Sequence, residues 1–151
     1  HYDDKILVEK FIRGREVECA VLEEDGEILT ALPGEVVASK EFYDYEAKYA
    51  DDQDSKIVIP AQIGDDQLEK IREYAARAFS AIDCAGLTRA DFFVERDTGA
   101  IYINEVNTLP GFTDISMYPK MWEHMGVSYE DLVERLIQTA ARKKVTDYTK
   151  E

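Results

Sequence analysis

The sequence predicts an α+β fold in which a largely antiparallel sheet packs against helices. Short strand-like runs separated by turn residues fill the amino-terminal half, and two later segments carry apolar residues at three- and four-residue spacing. A further pair of strand-like runs flanks a glycine-containing turn in the middle of the chain. With 151 residues, of which 45% are hydrophobic, the chain is long enough for one domain with its own core.

The amino-terminal half contains four strand-like runs. The Asp25-Gly26 pair favours a tight turn between the second and third runs, and Gly14 separates the first two. We therefore expect an antiparallel meander. The runs are residues 5–12, 16–23, 28–31 and 34–39. Residues 42–53 are rich in aromatic and charged side chains and predict a loop or short helical turn, a kind of segment that often carries function.

Two amphipathic helices are expected. The first covers residues 66–83, with Asp65 or Asp66 as cap and Gly86 beyond its end. The second begins after Ser128, and basic residues near its carboxyl end suit the helix dipole. The apolar positions are Leu68, Ile71, Ala75, Ala78, Phe79 and Ile82 in the first helix, and Leu132, Val133, Leu136, Ile137 and Ala140 in the second.

The runs at residues 87–95 and 100–107 predict a β-hairpin centred near Thr98. Residues equidistant from Thr98 face each other, so Asp91 should face Glu105 and Arg89 should face Asn107, all on one side of the sheet. Two facing carboxylates repel, and their oxygens together with an asparagine oxygen fit one or two magnesium ions. The alternative is a solvated face on which Arg89 forms a salt bridge with Asp91.

An irregular segment, residues 108–116, follows this hairpin directly. Gly111 could bring backbone N–H groups close to a developing oxyanion, although the segment taken in isolation is more typical of an ordinary turn. Arg89, which is always charged, could neutralise a phosphoryl or carbonyl oxygen beside a metal ion.

Charge and cysteine content narrow the function classes. The net charge of -14, from 32 acidic and 18 basic residues, disfavours nucleic acid or an anionic membrane as partner. No apolar run approaches the ~20 residues of a membrane-spanning helix and none resembles a signal peptide, so we expect a cytoplasmic protein. Cys19 and Cys84 lack metal-site spacing and are expected to be reduced, with a disulfide as the alternative.

Several runs, in order along the chain, resemble motifs of the D-alanine:D-alanine ligase family. The last two, GLTRADFF and NEVNTLPGFT, are highly specific when they occur together. The runs are residues 7–12 with 14–16, residues 42–49, residues 86–93, and residues 104–113 with 116–119. The resemblance implies the carboxy-terminal portion of an ATP-grasp fold. It also implies ATP-dependent ligation of two D-alanine molecules through a D-alanyl phosphate, for peptidoglycan synthesis.

The resemblance assigns roles to individual residues. Asp91, Glu105 and Asn107 look like ligands of two Mg²⁺ (or Mn²⁺) ions, and Arg89 with the Gly111 N–H like the stabilisers of the tetrahedral oxyanion. Further residues look like contacts of ATP and of the amino substrates. The ATP contacts are Glu9, Lys10, Ile12, Glu16, Phe42, Lys48 and Phe93; Tyr49 helps bind the amino substrate; Ser116 and Met117 hold the carboxylate of the second D-alanine. Phe42 and Phe93 could instead be core residues, and Lys48 simply solvated.

The resemblance also suggests which product forms and what lies outside the chain. Residues 45–49 differ from the loop of relatives that make D-alanyl-D-lactate, which favours the dipeptide. Nothing matches the family's amino-terminal domain or the first half of its ATP-grasp domain. We therefore expect residues 1–145 to be the carboxy-terminal part of a homodimeric enzyme, inactive alone, with residues 146–151 as a frayed tail. The alternatives are an intact domain that begins this way after processing, another ATP-grasp ligase with an acceptor such as D-lactate, and a non-catalytic module that binds calcium or a partner.

Overall fold

The computed structural model describes residues 4–38 and 55–142, which form a six-stranded sheet and three helices. The strands are β1 (Gly14–Glu24), β2 (Glu27–Thr30), β3 (Gly34–Ala38), β4 (Ser55–Val58), β5 (Leu87–Glu95) and β6 (Ile101–Asn107). The helices are α1 (Asp65–Ala81), α2 (Met117–His124) and α3 (Tyr129–Arg142). The predicted α+β class and the two hairpins are confirmed.

All strand pairs are antiparallel, in the order β4-β3-β1-β5-β6, with β2 also paired to β1. Because β5 runs along one edge of β1, β2 and β3 must share the other edge. Of the predicted meander only the hairpin at Asp25-Gly26 forms, since β3 pairs with β1 rather than with β2. Buried Pro33 has no N–H, so it interrupts the run between β2 and β3 without reversing the chain.

Each face of the sheet buries its own apolar cluster, because side chains alternate along β1. Val17 and Cys19 point to the face that α1 covers, whereas Ala20 and Leu22 point to the face that α2 and α3 cover. Within the described residues, α2 and α3 cover only one end of their face. At the other end Glu16 is exposed, so the sheet presents an open polar surface there.

Residues 5–12 do not form the predicted strand. Ile6, Leu7, Val8 and Phe11 are each more than 80% exposed. Strand propensity alone does not hold a strand, which needs a paired neighbour and a covered face. Neither is present for this run in the part of the chain that the structure describes.

Helix α1 buries Leu68, Ile71, Ala75 and Phe79 as its periodicity predicts, but its ends differ from the prediction. It begins after Gly64, whose N–H donates to the Gln67 side chain at 3.3 Å, so Asp65 and Asp66 lie in the first turn. The first left-handed residue after the helix is Asp83, with φ of 53°, and Gly86 follows it with φ of 75°. Ile82, predicted on the apolar face, is 50% exposed.

In α3 the Ser128 cap is confirmed, because its Oγ accepts a hydrogen bond from the Asp131 N–H at 3.1 Å. Leu132 is buried as predicted, but Ile137 is 60% exposed and Ala140 is exposed. Thr139 is buried in their place, and its hydroxyl donates to the Glu23 carbonyl at 3.1 Å. The helix is thus rotated so that a polar side chain contacts β1.

Helix α2 and strand β4 were not predicted. Proline is tolerated in a first helical turn, where Pro119 lies, and the helix is held by tertiary packing. Tyr118 and Met121 are fully buried, and the Tyr118 hydroxyl donates to the Val21 carbonyl at 2.9 Å.

Both cysteines are free thiols, Cys19 buried and Cys84 half-buried. Among the described helices, none has the length and apolar character needed to cross a membrane.

Candidate functional site

The hairpin of β5 and β6 has the predicted register at the end that carries the predicted site residues. Asp91 faces Glu105 and Arg89 faces Asn107. Nearer the turn the pairs are shifted by one, because β6 carries an irregularity opposite the step from Asp91 to Phe92. Without that extra residue Glu105 would point to the opposite face, so the irregularity brings the two carboxylates together.

Strand β1 adds a third carboxylate that the sequence analysis missed. Glu18 lies opposite Asp91, so Glu18, Asp91 and Glu105 form one row across three neighbouring strands. The alternation from Glu16 to Glu18 was visible in the sequence, but the pairing of β1 with β5 was not. Glu16 itself lies opposite Phe93 on the same face, which places two predicted ATP contacts beside the row.

Arg89 pairs with two of the three carboxylates in this row. Its Nε donates to Asp91 Oδ1 at 2.7 Å and its Nη2 to Asp91 Oδ2 at 2.6 Å, while Nε also lies 3.0 Å from Glu18 Oε2. The hydrogen bonds to Asp91, reinforced by Glu18 and Glu105, raise the pKa of Arg89 above its ordinary value despite the opposing effect of burial. The salt bridge considered as an alternative to a metal site is therefore formed in this structure.

The donor chemistry of this face fits a hard divalent cation, because Asp91, Glu105 and Asn107 offer carboxylate and amide oxygens. No group of three acidic, histidine or cysteine side chains is arranged around one point within residues 4–38 and 55–142. Both Asp91 oxygens accept hydrogen bonds from Arg89, and the Asn107 side-chain oxygen accepts one from the Leu109 N–H at 3.2 Å. The side chains would therefore have to exchange partners before binding a cation.

The loop after β6 is held by aromatic packing. The Phe112 ring lies 5.7 Å from the Tyr118 ring and 5.4 Å from the Tyr129 ring, and the Tyr129 hydroxyl donates to the Phe112 carbonyl at 2.9 Å. Pro110 is buried. These contacts fix the backbone around Gly111 close to the end of β6, as a site built on backbone N–H groups requires.

Gly111 and Ser116, assigned to the oxyanion and to the second substrate, are neighbours across this loop. A Cβ on Gly111 would lie 3.0 Å from Ser116 Oγ, so a larger residue here would require that hydroxyl to move by a few tenths of an ångström. The Ser116 hydroxyl accepts a hydrogen bond from the Thr113 N–H at 3.0 Å. Met117 has a buried side chain packed on Gly34. Any contact of Met117 with substrate must therefore use its backbone N–H at the start of α2.

The remaining predicted site residues are less closely gathered. Glu9 and Lys10 are exposed and Ile12 is half-buried, in a segment without regular structure before β1. Phe93 is half-buried beside the carboxylate row. Phe42, Lys48 and Tyr49 lie outside the described residues.

Together the sheet and its acidic hairpin form the carboxy-terminal portion of the ATP-grasp fold, as the solved structures that match this chain confirm. The chain belongs to the D-ala D-ala ligase C-terminus family, whose model matches residues 1–138. It is 54% identical over 142 residues to the D-alanine--D-alanine ligase of Acetivibrio thermocellus, covering 94% of this chain and 37% of that relative. It is 58% identical over 139 residues to that of Ruminiclostridium cellulolyticum, covering 91% and 37%.

Solved structures of D-alanine ligases also match this chain. The D-alanine-D-alanine ligase from Coxiella burnetii matches with a TM-score of 0.76 at 38% identity, covering 92% of this chain and 35% of that one. The VanG D-Ala:D-Ser ligase from Enterococcus faecalis matches with a TM-score of 0.73 at 39% identity, covering 86% and 37%. The chain thus spans little more than a third of the length of these relatives.

Proposed function

We propose that this chain supplies the carboxy-terminal part of a D-alanine--D-alanine ligase, with residues 1–145 as the folded portion and residues 146–151 as its tail. In this reaction ATP phosphorylates the carboxylate of one D-alanine. The amine of a second D-alanine then attacks the resulting D-alanyl phosphate, so that a peptide bond forms, phosphate leaves and the amine loses a proton. The products are D-alanyl-D-alanine, ADP and phosphate, and the dipeptide serves peptidoglycan synthesis.

The observation that carries this proposal is the open face of the hairpin. It presents Arg89, Asp91, Glu105 and Asn107 on one side of the sheet, next to the loop that contains Gly111. A cation and backbone N–H groups beside oxygen ligands are the components that phosphoryl and acyl transfer require. The family match adds the reaction that these components serve.

Within this proposal each group has a separate task. Asp91, Glu105 and Asn107 would hold two Mg²⁺ (or Mn²⁺) ions, which when bound draw the negative charge of the triphosphate towards the acceptor. Arg89 and the Gly111 N–H stabilise the oxyanion that develops on the D-alanine carbonyl.

The adenine and ribose of ATP are assigned to Glu9, Lys10, Ile12 and Glu16, between walls formed by Phe42 and Phe93. This assignment is supported by the position of Glu16 opposite Phe93 beside the carboxylate row. Lys48 would contact phosphate and Tyr49 the amino substrate. Exclusion of water by the loop that carries them would protect the acylphosphate from hydrolysis.

Ser116 and the Met117 backbone N–H are assigned to the carboxylate of the second D-alanine. Ser116 supports this role because its hydroxyl adjoins Gly111, and the start of α2 directs N–H groups towards an anion. We further propose that the complete enzyme is a homodimer in the cytoplasm, a reducing compartment that suits two free thiols.

One finding favours a second acceptor. The VanG D-Ala:D-Ser ligase from Enterococcus faecalis shares 39% identity with this chain. The first substrate and the phosphoryl transfer would be unchanged, and only the group that attacks the acylphosphate would differ. The hydroxy acid D-lactate is a third acceptor to compare.

The test joins this sequence to the amino-terminal portion of a relative that the match does not cover, so that the polypeptide has the relatives' full length. Phosphate release and product mass are measured with D-alanine alone, and with D-alanine together with D-serine or D-lactate. We expect D-alanyl-D-alanine as the main product, little or none from the 151 residues alone, and a loss of about 10²-fold or more in Arg89→Met. A folded full-length polypeptide that forms no dipeptide would refute the proposal.

A further inference from the structure

Glu18 is not one of the residues assigned to metal, ATP or substrate, yet it lies within the site beside Asp91 and Arg89. It lies on β1 directly opposite Asp91, and its side chain is only 16% exposed. Its Oε2 atom is out of contact with solvent and lies 3.0 Å from Arg89 Nε. Burying a carboxylate beside two others is costly unless a cation compensates it, and Arg89 is that cation.

The guanidinium of Arg89 is shared between two carboxylates at one of its nitrogens. Nε donates to Asp91 Oδ1 at 2.7 Å and faces Glu18 Oε2 at 3.0 Å, whereas Nη2 donates to Asp91 alone at 2.6 Å. In this state both oxygens of Asp91 are occupied. If Asp91 turned away, Glu18 would still face the guanidinium.

The surroundings on β1 make Glu18 the natural second partner. Ala20, the next residue on that face, lies opposite Arg89 and is too small to hold the arginine side chain. The row of Glu18, Asp91 and Glu105 sets three carboxylates against one guanidinium, leaving an excess of negative charge that suits a divalent cation.

We propose that Glu18 is a positioning residue that retains the Arg89 guanidinium when Asp91 exchanges it for a divalent cation. Glu18 thereby lowers the cost of releasing Asp91 and keeps Arg89 beside the reacting carbonyl. The catalytic part of this inference rests on the proposed function, whereas the exchange of partners can be measured by metal binding alone.

The experiment titrates Mn²⁺ into the full-length polypeptide described above, without nucleotide, and follows the electron paramagnetic resonance signal of free Mn²⁺. Glu18→Gln keeps the shape of the side chain and removes its charge. We expect the Mn²⁺ dissociation constant to rise about tenfold, because Arg89 then pairs with Asp91 alone. Glu24→Gln is the matched control, since Glu24 lies on the same strand and pairs with Arg135 at 3.0 Å. The Mn²⁺ dissociation constant of this variant should stay within about twofold of that of the unsubstituted protein.

A double-mutant cycle shows whether Glu18 acts through Arg89. In an Arg89→Met background, Glu18→Gln should change the Mn²⁺ dissociation constant by no more than about threefold. Equal losses with and without Arg89 would mean that Glu18 contributes only charge, and would overturn the inference. So would equal behaviour of Glu18→Gln and Glu24→Gln, or absence of Mn²⁺ binding to the unsubstituted protein.

A second variant covers the case in which Glu18→Gln does not fold. Glu18→Asp keeps the charge and withdraws the carboxylate from Arg89 by one methylene, so a loss of about threefold is expected, and unchanged binding would refute the role. Dipeptide formation is measured in parallel. An unsubstituted protein that binds Mn²⁺ but forms no dipeptide would refute the proposed function while the cycle still decides the role of Glu18.

Discussion

Replacement of Arg89 by methionine tests how the acidic face is held together. Methionine has a comparable length and no charge, so Asp91 and Glu18 would lose their shared cation. Arg89 makes two hydrogen bonds to Asp91 at 2.7 and 2.6 Å and lies 3.0 Å from Glu18, and the three side chains are between 14% and 18% exposed. Removing one partner of a buried ion pair costs about 3 to 5 kcal/mol.

Because some solvent reaches these groups, we take the lower end and expect a loss of about 3 kcal/mol in the free energy of unfolding. Urea denaturation of the 151-residue chain is the assay, since urea does not screen charges. At a typical slope of about 1.5 kcal/mol per molar urea, the midpoint should fall by about 2 M with the slope unchanged.

Arg77→Met is the matched control. Arg77 also pairs with a glutamate, Glu73 at 3.6 Å, but both side chains are more than 60% exposed. Pairs of that kind contribute less than about 1 kcal/mol. If Arg89→Met shifted the midpoint no further than Arg77→Met, the carboxylate row would not depend on its arginine, and the electrostatic description of the site would be wrong.

Three further predictions concern the loop, a thiol and a buried hydroxyl. Gly111→Ala places a methyl group 3.0 Å from Ser116 Oγ. Dipeptide formation by the full-length polypeptide should fall at least about tenfold, while the urea midpoint stays close to that of the parent. Unchanged turnover would contradict the assignment of this loop. Burial raises the pKa of the Cys19 thiol from 9.0 to about 12. Above pH 9 the unfolded chain therefore loses a proton that the folded chain retains. The free energy of unfolding should fall as the pH rises from 9 towards 12, by up to about 1.4 kcal/mol per pH unit. The fall should be less steep in Cys19→Ala. In a thiol-reagent assay, Cys84 should react in the folded chain and Cys19 only after unfolding; equal rates would argue against the burial of Cys19. Tyr118→Phe removes a hydroxyl that donates to a β1 carbonyl at 2.9 Å and should cost about 1 kcal/mol, measured by urea denaturation; a cost near zero would show that this bond adds nothing.

Local patterns in the sequence were enough to predict several parts of this protein. The spacing of Leu68, Ile71 and Ala75 predicted the buried face of α1, because helical periodicity depends only on the residues of the helix itself. The hairpin that pairs Asp91 with Glu105 was predicted for a similar reason, since its two strands adjoin one turn. The motifs along those strands also indicated the family, which the match over residues 1–138 confirms.

The tertiary structure decided what depends on neighbours distant in the chain. The pairing of β1 with β5 adds Glu18 to the row. The irregularity in β6 leaves one residue of that strand unpaired and so keeps Glu105 on the face of Asp91. The tertiary structure also formed α2 around buried Tyr118 and left residues 5–12 without a strand. Pairing and burial are set by which surfaces meet, and two surfaces far apart in the chain leave no periodic signal in either segment. The sequence by itself therefore determined the chemical groups and the hairpin that carries them, whereas only the fold determined that Arg89 is shared between Asp91 and Glu18.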